Sequence, residues 1–517
     1  MTESLADVVA AGYGFADDAV ILGRALESDL RATLNDGFVQ APLSMLNKHG
    51  LIAGATGTGK TKTLQLMAEQ LSRQGVPVFL ADLKGDLTGL AVDSPGHEKI
   101  DERMQGMDIP WQPESFPVEL LSITGKVGTP LRVPLSSFGP LLLSKVMDCT
   151  DTQESVLQVL FRLADEQGLA LLDLVDLIEL LRHLLSDAGD EVMDGYGGMS
   201  SQTLNVLLRK AMELETQGAE QFFGEPEFDV GDLKRTTSQG KGVVTVMNLT
   251  DVQTQPRVFS TFMMWLLAEL YETSPELGDP DKPELVFFFD EAHLLFDGAT
   301  KSLRESIELT VRMIRSKGIG VFFVTQTPRD VPEDVLAQLG NRVQHALRAF
   351  TPQDQKALKA TAETFPITDH YDVRATLQAL GTGEALVTVL GPKGAPTPTV
   401  AARLLAPTSM MDTVGADVVE RLLAASQLRD KYAVELDRES ASELLAKHAA
   451  ERAAAAESDA QAGEEAELLK KRRKATSSSR RGDNAMEAMA KSAARSVGRE
   501  VGRQLIRGVL GTLTGRR

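Results

Sequence analysis

Apolar residues follow two rhythms along the chain. Short apolar runs bounded by turn or polar residues occur at 50–53, 77–81, 243–248, 285–289, 320–325, 343–349 and 385–390. Runs of this length and composition predict buried strands. Helix-like stretches separate them from about Val20 to Leu405. That alternation predicts an α/β fold, a mostly parallel sheet covered by helices. Residues 141–235 break the rhythm: they are rich in Leu, Glu and Asp at helical spacing, as in 169–185 and 204–214, with few strand formers. They predict a helical subdomain inserted in the sheet. Beyond Pro407 the composition turns to Ala, Glu, Lys and Arg, which predicts a helical stretch near 418–454 and then a Ser-rich linker around 475–482. The expected organisation is an N-terminal segment 1–20, a core domain 21–407, a helical appendage 408–469 and a basic tail 470–517.

Composition adds limits. With 517 residues, 43% of them hydrophobic, the chain can bury a sizeable core. Cys149 is the single cysteine, which excludes an intrachain disulfide and a cysteine-built metal cage. The first 20 residues lack a basic start followed by an apolar core, and no apolar run approaches the roughly 20 residues of a spanning helix, so a cytoplasmic location is expected. A net charge of −19 argues by itself against a polyanion-binding surface. The charge is unevenly spread, however, with 14 Lys and Arg against three Asp and Glu in 470–517. There Lys491, Arg495, Arg499, Arg503 and Arg507 recur every four residues beside Ala493, Val497, Val501, Leu505, Val509 and Leu513. On a helix these form adjoining basic and apolar stripes. Such a helix suits DNA phosphates, an anionic membrane, a neighbouring subunit met through Gly498 and Gly502, or the acidic body of the same chain.

The strongest chemical signal is Gly54, Ala55, Thr56, Gly57, Thr58, Gly59, Lys60 and Thr61, followed by Lys62, between an apolar strand and a helical run. This is a complete P-loop in its proper context. Glycines allow successive backbone N–H groups to turn toward phosphate oxygens at a helix N-terminus, Lys60 reaches the β and γ phosphates of ATP, and Thr61 offers a hydroxyl to Mg²⁺.

That metal calls for an acidic partner. The run 285–289 ends in Asp290 and Glu291, as a Walker B strand does, with Asp290 expected at the metal and Glu291 at the attacking water. His293 completes the string DEAH, but neither the further motif nor the second arginine-bearing domain of a superfamily 2 helicase is visible. The run 320–325 leads into Gln326, suited to sensing the γ phosphate. Upstream, Arg312 and Arg315 stand three apart on an expected helix, and Arg315 is the candidate arginine finger. Asp82, Lys84 and Asp86 follow the second strand, where Asp82 is placed to touch the metal shell.

In order and spacing these elements resemble the HerA-like branch of the HerA/FtsK superfamily: His49-Gly50 ahead of GATGTGKT, then DLKGD, FFFDEAH, the stretch from Arg315 and VTQTP. The likeness covers about Val20 to Pro407, closest to its bacterial HerA-like members. It implies a RecA-like P-loop core in which the residues matching Lys60, Thr61, Asp290 and Glu291 handle Mg-ATP, that matching Gln326 senses phosphate, and that matching Arg315 acts on the next subunit. A homo-hexamer translocating duplex DNA follows from it, with a nuclease or other protein as possible partner. A secretion- or conjugation-type ATPase and an ATP-gated scaffold with little turnover are the other readings, separated by whether DNA stimulates turnover.

Overall fold

In the computed structural model, residues 3–476 are described, apart from 17, 197–198, 298 and 437. The stripes expected over 491–513 lie outside the described residues. Two units are distinguished, 1–445 and 446–517. The first contains both the N-terminal residues and the stretch 408–445 that the sequence set apart. Tyr13, at the end of helix Leu5–Tyr13, is buried with its hydroxyl 3.0 Å from Val387 O and 2.7 Å from Pro398 O. In the second unit, residues up to 476 are helical, as part of helix Ala441–Thr476. Among the described residues no helix is long and apolar enough to cross a membrane.

The strands are β1 (Ala19–Leu26), β2 (Thr33–Pro42), β3 (Gly50–Ala53), β4 (Val78–Asp82), β5 (Val118–Ser122), β6 (Thr129–Pro130), β7 (Val244–Asn248), β8 (Leu285–Phe289), β9 (Ile319–Thr325), β10 (Asn341–His345), β11 (Glu384–Thr388) and β12 (Val400–Leu404). They form one sheet in the order β2-β1-β12-β11-β10-β3-β9-β8-β4-β7-β5-β6. From β10 to β6 every pairing is parallel, and the wing from β10 out to β2 is antiparallel. The expected α/β core is therefore present, with an antiparallel extension the sequence reading did not anticipate.

Alternation along the central strands feeds two separate cores. Phe287, Phe289 and Phe323 point into the larger one, beneath helices that include Asp151–Glu166, Leu174–Leu184, Ser201–Thr216 and Pro256–Thr273. Val286, Phe288 and Phe322 point to the other face, where helix Lys60–Arg73 packs. Burial on both faces is why these strands read as unbroken apolar runs. Stacked ring pairs, Phe289 with Phe323 and Phe288 with Phe322, tie β8 to β9 on both sides.

The short strand β3 is held by what precedes it. His49, at φ 60°, is buried, with Nε2 2.6 Å from Val311 O while Nδ1 accepts a hydrogen bond from Val321 N at 3.0 Å. Both bonds require the neutral ring with its proton on Nε2. Burial, ahead of the opposing bond to Val311, drops the ring to about 4 from the usual 6.5. Next to it, a Cβ at Gly50 would lie 2.2 Å from the Phe322 ring and 2.9 Å from Asn341 O.

Two outcomes test this packing. Gly50→Ala should destabilise the chain by about 1–3 kcal/mol in chemical unfolding, because ring and backbone must both give way; an unchanged midpoint would show that the strand has slack. For His49, nitrogen NMR should find the ring neutral at pH 5. Its folded value lies below the unfolded one, so its contribution to stability is complete above about pH 6.5 and is lost as pH falls toward 4.

Candidate functional site

The parallel strands bring their C-terminal ends to one edge, and the chemistry collects there. β3 runs into the P-loop, β9 into Gln326, β8 into Asp290 and Glu291, and β4 ends on Asp82. With β9 between β3 and β8, the phosphate loop and the carboxylate pair stand two strands apart.

The loop leaves the sheet fastened to both neighbours. Gly54 N donates to Thr325 O at 3.2 Å and Ala55 N to Ala346 O at 2.9 Å. Gly54, Gly57 and Gly59 take φ values of 156°, 77° and 111°, conformations that favour glycine. Thr58 donates its hydroxyl to Ala55 O at 2.7 Å, and Thr56 and Gly57 are exposed at the tip. Helix Lys60–Arg73 starts at once, so its free N–H groups face the loop. Lys60 curls back, with Nζ 2.7 Å from Gly54 O and 3.2 Å from Ala55 O. Burial lowers its pKa, partly offset by Glu291. Beneath the loop, buried His345 places Nε2 2.9 Å from Thr63 Oγ1, and burial, then the Lys60 charge, pushes its pKa down to about 4.

Asp290 is buried; its Oδ1 accepts from Glu291 N at 3.0 Å, while Oδ2 accepts no hydrogen bond. Burial raises its pKa against the pull of Lys84. Glu291, at φ 49°, meets Lys84 Nζ at 2.6 Å through Oε1, and its Oε2 accepts no hydrogen bond, with His293 Nδ1 3.5 Å away. Burial works to raise its pKa, but the Lys84 bond and charge prevail and hold it low. Two buried carboxylate oxygens without donors fit a divalent cation. Among the described residues no cluster of three or more His, Cys, Asp or Glu could hold a metal alone. A cation here would complete its shell from Thr61, water and phosphate oxygens, as Mg²⁺ does.

Asp82 differs from its expected role. Its Oδ1 accepts from Lys84 N and Gly85 N at 3.1 and 2.7 Å, and Oδ2 from Leu87 N at 3.0 Å. The carboxylate holds the turn after β4 and does not stand open to a metal. Burial, ahead of the bond from Leu87, raises its pKa to about 6. Lys62 also turns elsewhere: its Nζ donates to Met411 O at 2.5 Å, leaving only its backbone in the phosphate loop.

Gln326 is exposed in a cleft shared with His293, Arg304, Thr327, Arg329 and Asp330. Asp330 shapes this loop, accepting from Thr325 Oγ1 at 2.6 Å and from Thr327 N and Oγ1, each at 2.9 Å. Arg315 lies at the other end of β9, exposed, just past helix Lys301–Ile314. Seven residues of strand, about 20 Å, separate it from Gln326. The sequence reading missed Asp330, Arg304 and Arg329, and gave Lys84 no role. Asp330, four residues after Gln326 in a Thr-Pro-Arg-Asp turn, carried the one signal that could have been used.

A second cleft opens beside Gly59, Lys62 and Thr63, with Ile100, Leu405, Ala406, Pro407 and Met411 as its apolar walls. The strap 404–412 closes it, fastened to one face of the P-loop helix. Gln65 Nε2 donates to Ser409 Oγ and Met410 O at 2.7 and 2.9 Å, and Glu69 accepts from the backbone N and hydroxyl of Thr408 and of Ser409.

A DNA double-strand break repair helicase HerA of Sulfolobus acidocaldarius is 20% identical over 369 residues, 68% of this chain and 64% of that relative. Its counterpart in Sulfurisphaera tokodaii is 23% identical over 376 residues, 72% of this chain and 67% of that relative. The match thus spans just under two thirds of the first relative's length and about two thirds of the second's. Among solved structures, the bacterial conjugative coupling protein TrwB aligns at a TM-score of 0.48 with 16% identity, over 79% of this chain and 100% of that one. The family described as Helicase HerA-like C-terminal matches residues 27–517, and the chain belongs to that family.

Proposed function

We propose that this chain is an ATP-hydrolysing motor of the HerA type, working as a ring of six subunits on duplex DNA. The observation that carries the ATPase is the meeting, at one sheet edge, of the P-loop with a carboxylate pair, Asp290 buried and Glu291 partly so, each with one oxygen that lacks a donor. The names of the relatives, DNA repair helicases, support the substrate.

Each residue then has a task. Backbone N–H groups of 56, 57 and 59–61 cradle the phosphates, and Lys60 swings from its two carbonyls to the β and γ oxygens. Thr61 and Asp290 hold Mg²⁺, which when bound neutralises charge developing on those oxygens. Glu291 orients and deprotonates the water, and Gln326, on its Asp330-braced loop, reports the γ phosphate. The base lies in the apolar cleft between Ile100 and the strap, just downstream of the loop. Arg315 stands too far from its own P-loop edge to serve it, so it acts on a neighbour's nucleotide. This is what makes turnover depend on assembly.

Steady-state ATPase with and without duplex DNA, with mass in solution recorded alongside, tests the whole reading. Strong stimulation in a hexamer is expected; DNA-independent turnover would indicate a protein-directed motor, and no turnover a nucleotide-gated scaffold. Lys60→Ala should abolish turnover. Arg315→Ala should keep ATP affinity within a few-fold while turnover falls by about 10³; a large loss of binding in that variant would remove it from the finger role.

A further inference from the structure

Lys84 is unexplained by the tasks above, yet it is the one cation joined to both catalytic carboxylates among the described ion pairs. Its Nζ lies 2.6 Å from Glu291 Oε1 and 3.5 Å from Asp290 Oδ2. The turn that presents it is built for the purpose. Asp82, fully buried, spends its carboxylate on three backbone N–H groups of the turn, including that of Lys84 itself. Gly85, at φ 76°, permits the reversal, and Gln253 Nε2 donates to Leu83 O from the side. The Lys84 side chain, in contrast, is 45% exposed, so its ammonium has solvent to go to if it leaves the pair.

Two adjacent carboxylates, one buried and one partly so, repel each other unless a cation stands between them. Here that cation is the Lys84 ammonium. It pairs with one oxygen of Glu291 and neighbours the same Asp290 oxygen that lacks a hydrogen-bond donor, the oxygen best placed for a metal. An ammonium and a divalent cation cannot share so small a space.

We propose that Lys84 is the positioning residue for the carboxylate pair, standing in for Mg²⁺ between turnovers and yielding when the metal arrives. The inference rests on the Asp290–Glu291 assignment made under the proposed function. Between turnovers the Lys84 ammonium holds Glu291 through Oε1 and stands beside Asp290 Oδ2, so the metal must displace the lysine before it can bind. Asp82 is thereby a residue of the same device, setting where the lysine begins.

The test uses the full chain without nucleotide, with Mg²⁺ alone as the probe. Lys84→Met keeps the length of the side chain and removes the charge. In EDTA its thermal midpoint should fall by roughly 2–4 °C, and added Mg²⁺ should restore it. Half of the Mg²⁺ effect should come at about tenfold lower concentration than in the parent, because the competing charge is gone. Lys84→Arg should behave like the parent. In a Glu291→Gln background, Lys84→Met should shift the midpoint less than it does alone. An identical Mg²⁺ response in Lys84→Met and the parent would overturn the proposal, as would a loss of stability that Mg²⁺ fails to reverse. The ATPase reading is tested apart from this: if Lys60→Ala still turned over ATP, that reading would fail whatever Mg²⁺ did to the Lys84 variants.

Discussion

The catalytic edge hangs on a strand of four residues, β3, inserted between β9 and β10. At its start, His49 is bonded to Val311 within helix Lys301–Ile314 and to Val321 within β9, and Gly50 leaves no room for a side chain. At its end, Gly54 and Ala55 each donate to a different neighbouring strand's exit. A phosphate loop works only if its N–H groups are fixed before the anion arrives, since ordering them afterwards would cost conformational entropy. Pinning β3 at both ends supplies that order without any ligand contact.

The same edge must hold opposite charges close together in a partly buried place. Lys60 and Lys84 face Asp290 and Glu291, and their pKa values move in opposite directions for this reason. Burial dominates at Lys60 and Asp290, whereas at Glu291 the lysine bond outweighs burial. Asp82, drawn into the same cluster by the sequence, is satisfied by backbone donors. Separating the carboxylate that holds a turn from the two with an oxygen lacking donors required hydrogen-bond geometry, because all three are acidic residues at the ends of apolar strands.

That contrast explains what was legible in the sequence. Strands buried on both faces, such as β8 and β9, announce themselves as apolar runs, and the P-loop and Asp290–Glu291 follow from their exits. The strands β1, β2, β5, β6 and β12 were not foreseen. β1 and β2 carry Arg24, Asn35 and Asp36 within their runs, and the Ala-rich β12 reads equally as helix. β10 ends at His345, short of the expected 349, because residue 346 leaves the sheet to receive the P-loop N–H. Domain limits were hardest. Tyr13 ends a short helix and the strap beyond Pro407 is irregular, and only contacts distant in sequence bind them to the core.

The strap shows how such a distant segment can matter to the site. Lys62, Gln65 and Glu69 stand three and four residues apart, on one face of the helix whose first turn forms the phosphate site. All three bond to residues 408–411, and Glu69 alone receives four bonds, which offsets the cost of burying its carboxylate. One helix therefore carries the phosphate loop at its start and the wall of the second cleft along its side. A nucleotide spanning the two would bridge elements already locked together. Its affinity would then depend on the strap holding its place rather than on the strap closing over it, so this side of the site is a fixed wall. On the other side stand Lys84, with an exposed side chain, and Gln326, exposed at the exit of β9.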